Sequence, residues 1–339
     1  MYSMIPPTRK VSKPMMDRFV GNVLSVLGYI KSKKAEQPLV YHYTNGSGLL
    51  GIAESKSLWA THIGFMNDTE EYREAVRMLV QLGLTRIAES KLHPAVEFAL
   101  FTLRDEMFVT TSEDDTFNIK ADSIPPWFVT CFSECKDDLA QWRGYSTGGA
   151  KFSLGMELNH LGALVYHLGQ PSNDGIRYQI HLVPAVYSKD EKERFLNMIL
   201  DFIIDQYPRD EAEISPDNDT QFAMDWLGNY LSLASVVAPV AKNTAFAQER
   251  EWRLIVMPVN ASEIKYRSRG ALLTPYIEID LRCLTYKSGD KEWSHPVREC
   301  WVGPSPHMDS NRFSVRNMLA ANKFFGVDLH LSTVPFRDL

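Results

Sequence analysis

The sequence predicts an α+β fold with a mixed or split central β-sheet and flanking helices. Apolar residues recur at helical spacing in several segments, whereas other short segments are rich in the β-branched and aromatic residues that strands prefer. The helical and strand patterns do not alternate strictly, which argues against a doubly wound parallel sheet. With 339 residues, of which 45% are hydrophobic, the chain can bury a sizeable core.

Composition excludes several classes of protein. The apolar and aromatic content is too high for a disordered chain, and the longest apolar stretches are shorter than the roughly 20 residues that cross a bilayer. The net charge of −6 gives no sign of a uniformly basic surface. The first residues lack the apolar segment of a secretory signal, and the four cysteines fit a reduced chain without a zinc site. We therefore expect a cytoplasmic protein with no membrane partner and no metal.

The elements can be assigned in chain order. An N-terminal leader and helix are expected over residues 1–37, followed by a single α+β domain over 38–339 with helical insertions at about 70–125 and 190–245. The helix at 15–33 ends in a basic run, and the helix at 70–89 has acids in its first turn, as the helix dipole favours. Further helices are predicted at 48–55, 94–110, 161–168, 190–207, 220–241 and 311–325, and a short helix or loop at 137–145. Strands are predicted at 38–44, 58–63, 127–132, 151–157, 180–187, 252–258, 276–281, 297–302 and 327–331, with a loop at 113–126.

Common catalytic signatures are absent from the sequence: it has no phosphate loop, no GxGxxG, no HExxH and no GxSxG. The candidates that remain are polar residues on strands. His42 lies on the first strand beside the turn at 45–48, where its imidazole can hydrogen-bond a ribose hydroxyl or an amide. The alternative is a core histidine that is satisfied by the backbone.

Two glutamates precede a strongly apolar strand. Glu249 and Glu251 are two residues apart, so an extended backbone would point both carboxylates to one face. Such pairs suit acid–base chemistry or the stabilisation of a cation. The alternative is an ion-pair cluster with Arg253 or Arg143.

A second polar group follows the strand at 127–132. Gln141, Trp142, Arg143 and Tyr145 lie within five residues of one another and could form the wall of a pocket for a phosphate-bearing or planar ligand. The alternative is structural, with Trp142 in the core and Arg143 paired to an acid.

One ordered set of motifs resembles a bacterial family of unassigned function over most of the chain, from about Tyr41 to Gly303. The motifs are YHYT, GLLGI, LWATHIGFMND, CFSE, DDLAQWRGY, EREWRLI and VGP. More loosely, a His on the first strand, an aromatic or hydroxyl residue on a later strand and a Glu on a still later strand resemble the ADP-ribosyltransferases. That resemblance implies an ADP-ribosyltransferase-like fold and NAD as the substrate.

The same resemblance implies roles for individual residues. His42 would hold the nicotinamide ribose, Glu251 would be the catalytic acid and Glu249 the first member of an ExE pair. Ser133 would match the serine of another subclass. Further NAD contacts would come from Tyr43, Thr44, Trp59 and Arg143, with Tyr72 a third candidate beside Tyr43 and Trp59 for the aromatic position.

The resemblance implies an NAD-consuming enzyme, such as a toxin or an anti-phage effector, with an unidentified protein or nucleic acid as acceptor; whether it forms homo-oligomers stays open. Two alternatives remain. One is a metal-dependent hydrolase or nuclease that uses Asp68, Glu134, Asp138 and Glu251. The other is a non-catalytic nucleotide-sensing module in which Trp142 and Arg143 hold the ligand.

Overall fold

A computed structural model describes most of the chain. The described residues are 35–66, 69–89, 126–145, 149–170, 178–212, 238–284 and 295–335, with the short segments 108–110 and 117–119 and a few single positions between 26 and 101. The helices are α1 (Gly46–Ser55), α2 (Thr69–Glu89), α3 (Leu139–Gly144), α4 (Leu158–Leu168), α5 (Lys189–Ala212) and α6 (Met308–Ala321). The strands are β1 (Leu39–Asn45), β2 (Ser57–His62), β3 (Phe108–Thr110), β4 (Phe117–Ile119), β5 (Phe128–Ser133), β6 (Lys151–Glu157), β7 (Tyr178–Pro184), β8 (Glu251–Pro258), β9 (Lys265–Arg269), β10 (Leu272–Asp280), β11 (Val297–Val302) and β12 (Asp328–Leu331).

The chain divides into two compact units. The first is built from residues 1–33, 67–125 and 186–244, and the second from residues 34–66, 126–185 and 245–339. The segments 67–125 and 186–244 of the first unit begin and end near the limits of the two predicted helical insertions. We call the second unit the sheet unit, because it contains the ten-stranded sheet of the described residues.

Two long helices form most of the described part of the first unit. Helices α2 and α5 pack together, with Leu79 and Val80 of α2 and Ile199 of α5 buried. Arg86 donates to Asp201 across this pair at 2.9 Å. Helix α5 shows the apolar stripe from which it was predicted, with Phe195 and Ile199 buried. Within the described residues, no helix is both long and apolar enough to cross a membrane.

The sheet unit is α+β, and its sheet is mixed. The strands lie in the order β12-β11-β6-β1-β5-β2-β10-β9, and β8 pairs with β5 on one side and β7 on the other. All pairs are antiparallel except β11 with β12, which is parallel. The predicted α+β class and mixed sheet are therefore correct.

Strand β5 has three neighbours, so two strands share one of its edges. Along one edge β8 pairs with the whole strand. On the other edge Val129 faces Thr61 of β2, and Ser133 faces Tyr41 of β1. Val129 and Ser133 are four residues apart, about 13 Å along a strand. Strands β1 and β2 therefore diverge between these two points.

We call the resulting gap the fork. It is bounded by Thr130, Cys131 and Phe132 of β5, His42 of β1 and Trp59 of β2. The hydroxyl of Thr130 donates to the backbone carbonyl of Trp59 at 3.1 Å, a side-chain substitute for a ladder hydrogen bond. At the fork, side chains of β1, β2 and β5 border a gap between strands of the sheet.

Local signals explain how α1 leads the chain from β1 to β2. The side chain of Asn45 accepts from the backbone N–H of Gly48 at 2.9 Å and so caps the first turn of α1. At the other end Lys56 adopts the left-handed conformation, with φ of 59°, which ends the helix. The segment 45–48, predicted as a turn, is thus the start of a helix.

Several predicted elements differ from the structure. Residues 108–110 form a strand where a helix was predicted, and residues 117–119 form its partner strand inside the predicted loop. Residues 238–240 form a 3-10 turn at the end of the predicted helix 220–241. The rest of that helix, and most of the predicted helix 15–33, lie outside the described residues. Strand β9 was not predicted.

Candidate functional site

His42 lies in the fork. Its Nδ1 is 3.0 Å from the carbonyl oxygen of Cys131, and its ring centroid is 5.8 Å from that of Phe132. Because a carbonyl only accepts, Nδ1 carries the proton in this hydrogen bond. Burial lowers the pKa of His42, and the positive charge of Arg267 lowers it further. The ring is therefore neutral near pH 7, and its Nε2 is a hydrogen-bond acceptor.

Tyr43, a predicted NAD contact, belongs to the core. Its hydroxyl donates to the carbonyl of Cys135 at 2.7 Å and accepts from the backbone N–H of Asp138 at 3.2 Å. Its ring meets that of Trp142 edge-on at 4.7 Å. Burial is the main reason that the pKa of Tyr43 is raised.

Thr44, the next predicted contact, is also buried. Its Oγ1 packs so closely on Gly48 that a Cβ on that glycine would lie 2.1 Å away. Tyr43 and Thr44 thus hold β1 against the neighbouring elements and do not line the fork.

Ser133 has both of its hydrogen-bonding directions in use. Its hydroxyl donates to the carbonyl of Glu249 at 2.5 Å and accepts from the N–H of Cys135 at 3.0 Å, and it is 2% exposed. The side chain joins the end of β5 to the residues that lead into β8.

The two glutamates do not lie on one extended segment, so the sequence-based prediction of a shared strand face was wrong. Glu249 ends a 3-10 helix, Thr244–Glu249, and Arg250 has a positive φ of 42°. The backbone therefore turns between the two residues, and only Glu251 lies on β8. Glu249 is buried and accepts from the hydroxyl of Tyr145 at 3.4 Å.

Glu251 forms the buried ion pair that the sequence left open as an alternative. The Nε of Arg253 donates to its Oε1 at 2.7 Å, and both side chains are 3% exposed. Removing one member of such a pair would leave a buried charge without its partner. The carboxylate of Glu251 is held in a fixed orientation by this contact.

Strand register shows which candidates share a face of the sheet. Tyr41, Ser133 and Glu251 lie directly opposite one another on β1, β5 and β8, so their side chains point to one face. His42, one residue after Tyr41, starts from the other face, where it contacts Phe132. The backbones of β1 and β8 are two strand spacings apart, about 10 Å.

Trp59 belongs to the same face as Glu251. It is two residues from Thr61, which lies opposite Val129. Val129 and Ser133 are four residues apart on β5 and so point to the same face. The indole of Trp59 is half-buried and contacts the ring of Tyr276 with centroids 4.9 Å apart. One face of the sheet therefore carries Trp59 on one side of β5 and Glu251 on the other.

Arg267 of β9 completes this face, and the sequence analysis missed it. Its Nη2 donates to the hydroxyl of Thr61 at 2.9 Å, and its guanidinium lies over the rings of Trp59 and Tyr276, 5.0 and 5.5 Å from their centroids. Strand β9 is polar and at the edge of the sheet, so no apolar alternation indicated it. The alternating cations Lys265, Arg267 and Arg269 are the signal that could have done so.

Trp142, predicted as part of a pocket wall, lies in the core. Trp142 is fully buried, and its indole N–H donates to Asp137 at 2.8 Å. Arg143 is exposed in the last turn of α3. The structural alternative is therefore correct for Trp142.

The acids of the alternative metal site have other contacts. Glu134 accepts from the indole N–H of Trp252 at 2.8 Å, and Asp138 caps α3 by accepting from Gln141 at 3.0 Å. Asp68 lies outside the described residues, as does the side chain of Tyr72. In the part of the chain that the structure describes, no three histidine, cysteine or acidic residues form a group able to hold a metal ion.

The middle of the chain matches a protein-family model. Residues 141–254 match DUF2971, a protein family of unknown function. The DUF2971 match covers about a third of the chain, from α3 to the first half of β8, and it includes Glu249 and Glu251 but neither His42 nor Arg267. The predicted resemblance to a family of unassigned function is thus confirmed over these residues. The chain has no match among curated proteins and none among solved structures.

Proposed function

We propose that the protein is an NAD-consuming, ADP-ribosyltransferase-like enzyme that binds NAD at the fork of its split sheet. The observation that carries this proposal is the common face of Trp59, Ser133 and Glu251 around β5, with the cation Arg267 beside it. The three strands that bear His42, Ser133 and Glu251 are also consecutive neighbours, β1, β5 and β8. This arrangement supports an ADP-ribosyltransferase-like fold.

The proposed reaction starts with cleavage of the bond between C1′ of the ribose and the nicotinamide nitrogen. Nicotinamide leaves as a neutral base with the bonding electrons, and positive charge develops at C1′. The carboxylate of Glu251, oriented by Arg253, hydrogen-bonds the ribose and stabilises this charge. The neutral His42, which starts from the other face of the sheet, offers its Nε2 within the fork as an acceptor for a hydroxyl of NAD.

Transfer ends when a nucleophile of the acceptor forms a new bond to C1′. In the proposal Glu249, beside the hydroxyl of Tyr145, takes the proton that the nucleophile releases. The acceptor is a protein or a nucleic acid. Transfer of ADP-ribose to such a target would suit a toxin or an anti-phage effector.

The test follows both halves of NAD. The protein is incubated with NAD labelled in nicotinamide, or in the adenylate, together with an extract of cells. We expect free nicotinamide and a labelled macromolecule. The proposal fails if the folded protein releases no nicotinamide and labels no product.

Because Glu251 is buried, its substitution needs a stability control. The single variant Glu251→Gln leaves Arg253 without its carboxylate, whereas the double variant with Arg253→Gln removes both charges. If Glu251 is catalytic, the double variant regains stability and stays inactive. Recovery of activity in the double variant would assign Glu251 a structural role only.

A non-catalytic nucleotide-sensing module is the second candidate, and the Glu251–Arg253 pair favours it. A carboxylate that is 3% exposed and already paired is less available to a substrate than a free one. Tight binding of NAD without release of nicotinamide would select this candidate over the enzyme.

A further inference from the structure

The guanidinium of Arg267 is a cation whose described neighbours include no carboxylate. Its contacts there are one hydroxyl, that of Thr61, and two aromatic rings, those of Trp59 and Tyr276. By contrast, the neighbouring cation Lys265 donates to Glu278 at 2.7 Å. The side chain of Arg267 is only half-buried, so an anion can reach it.

Two N–H groups at this point are buried without an acceptor in the described part of the chain: Nε of Arg267 and Nε1 of Trp59. A buried donor that forms no hydrogen bond costs free energy. Both belong to rigid planar groups that are in contact with each other. Both atoms are shielded from solvent, so a ligand whose acceptor oxygens satisfy them must enter beside the exposed part of the Arg267 side chain.

The surrounding charges favour an anion. Desolvation lowers the pKa of Arg267, and the positive charge of Arg269 adds to this effect. The nearby His42 is neutral, with its Nδ1 proton directed to Cys131. Glu278, which lies opposite Trp59 on β10, is paired with Lys265, and no carboxylate among the described residues forms an ion pair with Arg267, so a ligand with more than one negative charge gains most.

We propose that Arg267 and the indole N–H of Trp59 form a binding site for the phosphate groups of a nucleoside diphosphate. A guanidinium presents its N–H donors as a planar fork, which matches phosphate oxygens in a bidentate contact. The rings of Trp59 and Tyr276, tilted 41° to each other, both contact the guanidinium and restrict its position. This inference rests on the proposed function for its natural ligand, NAD, whose two phosphates would sit here, but it requires no turnover.

The test measures binding of inorganic pyrophosphate, ADP and adenosine to the full chain by calorimetry. Pyrophosphate and ADP are expected to bind, and adenosine to bind much more weakly. Arg267→Gln should weaken ADP binding by roughly tenfold or more, the loss of one charge-assisted bidentate contact. Trp59→Phe keeps a ring beneath the guanidinium but removes the N–H, and should weaken ADP binding by roughly two- to fivefold.

The matched control is Arg282→Gln. Arg282 is an exposed arginine whose guanidinium pairs with Asp280 at 2.8 Å, and its substitution should leave ADP affinity unchanged. Circular dichroism confirms that each variant is folded. The proposal is overturned if folded wild type binds neither pyrophosphate nor ADP, or if Arg267→Gln binds ADP as wild type does.

The outcome separates this inference from the proposed enzyme. Binding of ADP that depends on Arg267, without any cleavage of NAD, supports the phosphate site and contradicts the enzyme. Cleavage of NAD with an unchanged KM in Arg267→Gln supports the enzyme and contradicts the phosphate site.

Discussion

The imidazole Nδ1 of His42 lies 3.0 Å from the carbonyl oxygen of Cys131, in the gap that β1 and β2 leave along β5. A strand edge without a neighbouring strand has unpaired backbone groups, and here a side chain supplies the missing donor. The same hydrogen bond leaves Nε2 without a proton. His42 therefore stabilises the fork with one nitrogen and offers an acceptor with the other.

Substitutions of His42 should separate these two roles. His42→Ala leaves the Cys131 carbonyl without its donor and should lower the free energy of unfolding by about 1–3 kcal/mol. His42→Asn retains an N–H donor near the position of Nδ1 and should cost less. Urea denaturation measures both. Equal losses in the two variants would show that the hydrogen bond to Cys131 does not stabilise the fork.

The same two variants bear on NAD. His42→Asn lacks an acceptor at the position of Nε2, so in the proposed enzyme it should raise the KM for NAD while the protein stays folded. A KM equal to that of wild type would remove His42 from the binding site and leave it a structural residue.

We expect the contributions of Glu251 and Arg253 to the free energy of unfolding to be strongly coupled. Either Glu251→Gln or Arg253→Gln alone should lower the free energy of unfolding by about 3–5 kcal/mol, because one buried charge loses its partner. The double variant should lose less than the sum of the two. Additive losses, measured by chemical denaturation, would contradict the coupling.

Ser133 should matter to the fold more than to a ligand. Its hydroxyl donates to Glu249 and accepts from Cys135, so Ser133→Ala leaves two buried groups unsatisfied and should cost about 1–3 kcal/mol. We expect an unchanged KM for NAD in the folded fraction. A raised KM with unchanged stability would instead support the predicted contact of Ser133 with NAD.

The strands of the core could be predicted from the sequence because their side chains alternate or are continuously apolar. Residues 151–157 and 297–302 were predicted with the bounds that the structure has. Strand β9 was not predicted because its side chains are charged or exposed and, among the described strands, it pairs with β10 alone. Edge strands carry little hydrophobic signal, since they bury few side chains.

The candidate site was only partly predictable, because it depends on contacts far apart in the sequence. The local sequence indicated His42, Trp59 and Glu251 as candidate residues one by one. The fork, where β1 and β2 diverge along β5, and the placement of Arg267 over Trp59 follow from strand pairing that no local pattern encodes. Likewise, no local pattern indicated the positive φ of Arg250, so the backbone from Glu249 to Glu251 was wrongly predicted to be extended.

His62 should make the protein less stable in mild acid. Its Nδ1 accepts from the N–H of Gly64 at 3.1 Å, which requires an unprotonated nitrogen, and its ring packs edge-on against Phe65 and Phe128. Burial lowers the pKa of His62 to about 4. In the unfolded chain the pKa is near 6.5, so between these values the unfolded state binds more protons and stability falls as pH decreases.

The full effect of His62 is at most about 3.5 kcal/mol, since each unit of pKa difference corresponds to about 1.4 kcal/mol. In His62→Asn the side-chain oxygen can still accept from Gly64 but does not titrate. The loss of stability between about pH 7 and about pH 4.5 should therefore be smaller in the variant than in wild type. Identical pH profiles from chemical denaturation would contradict this.

Gly303 should tolerate no side chain, because the chain passes very close to Trp142 there. A Cβ on Gly303 would lie 2.6 Å from the Cβ of Lys151 and 3.0 Å from two ring atoms of Trp142. The indole cannot easily yield, since it is fully buried and its N–H is bonded to Asp137. Gly303→Ala should therefore lower the free energy of unfolding by about 1–3 kcal/mol, the cost of overpacking a core.

The matched control for Gly303 is Gly144→Ala. Gly144 is the last residue of α3, and an added Cβ there would meet no described atom within 4 Å. Alanine is also the better helix former, so this variant should be neutral or stabilised by up to about 1 kcal/mol. Thermal and urea denaturation of the two variants form the test. If Gly303→Ala is as stable as Gly144→Ala, the close approach between Gly303 and Trp142 does not constrain the fold.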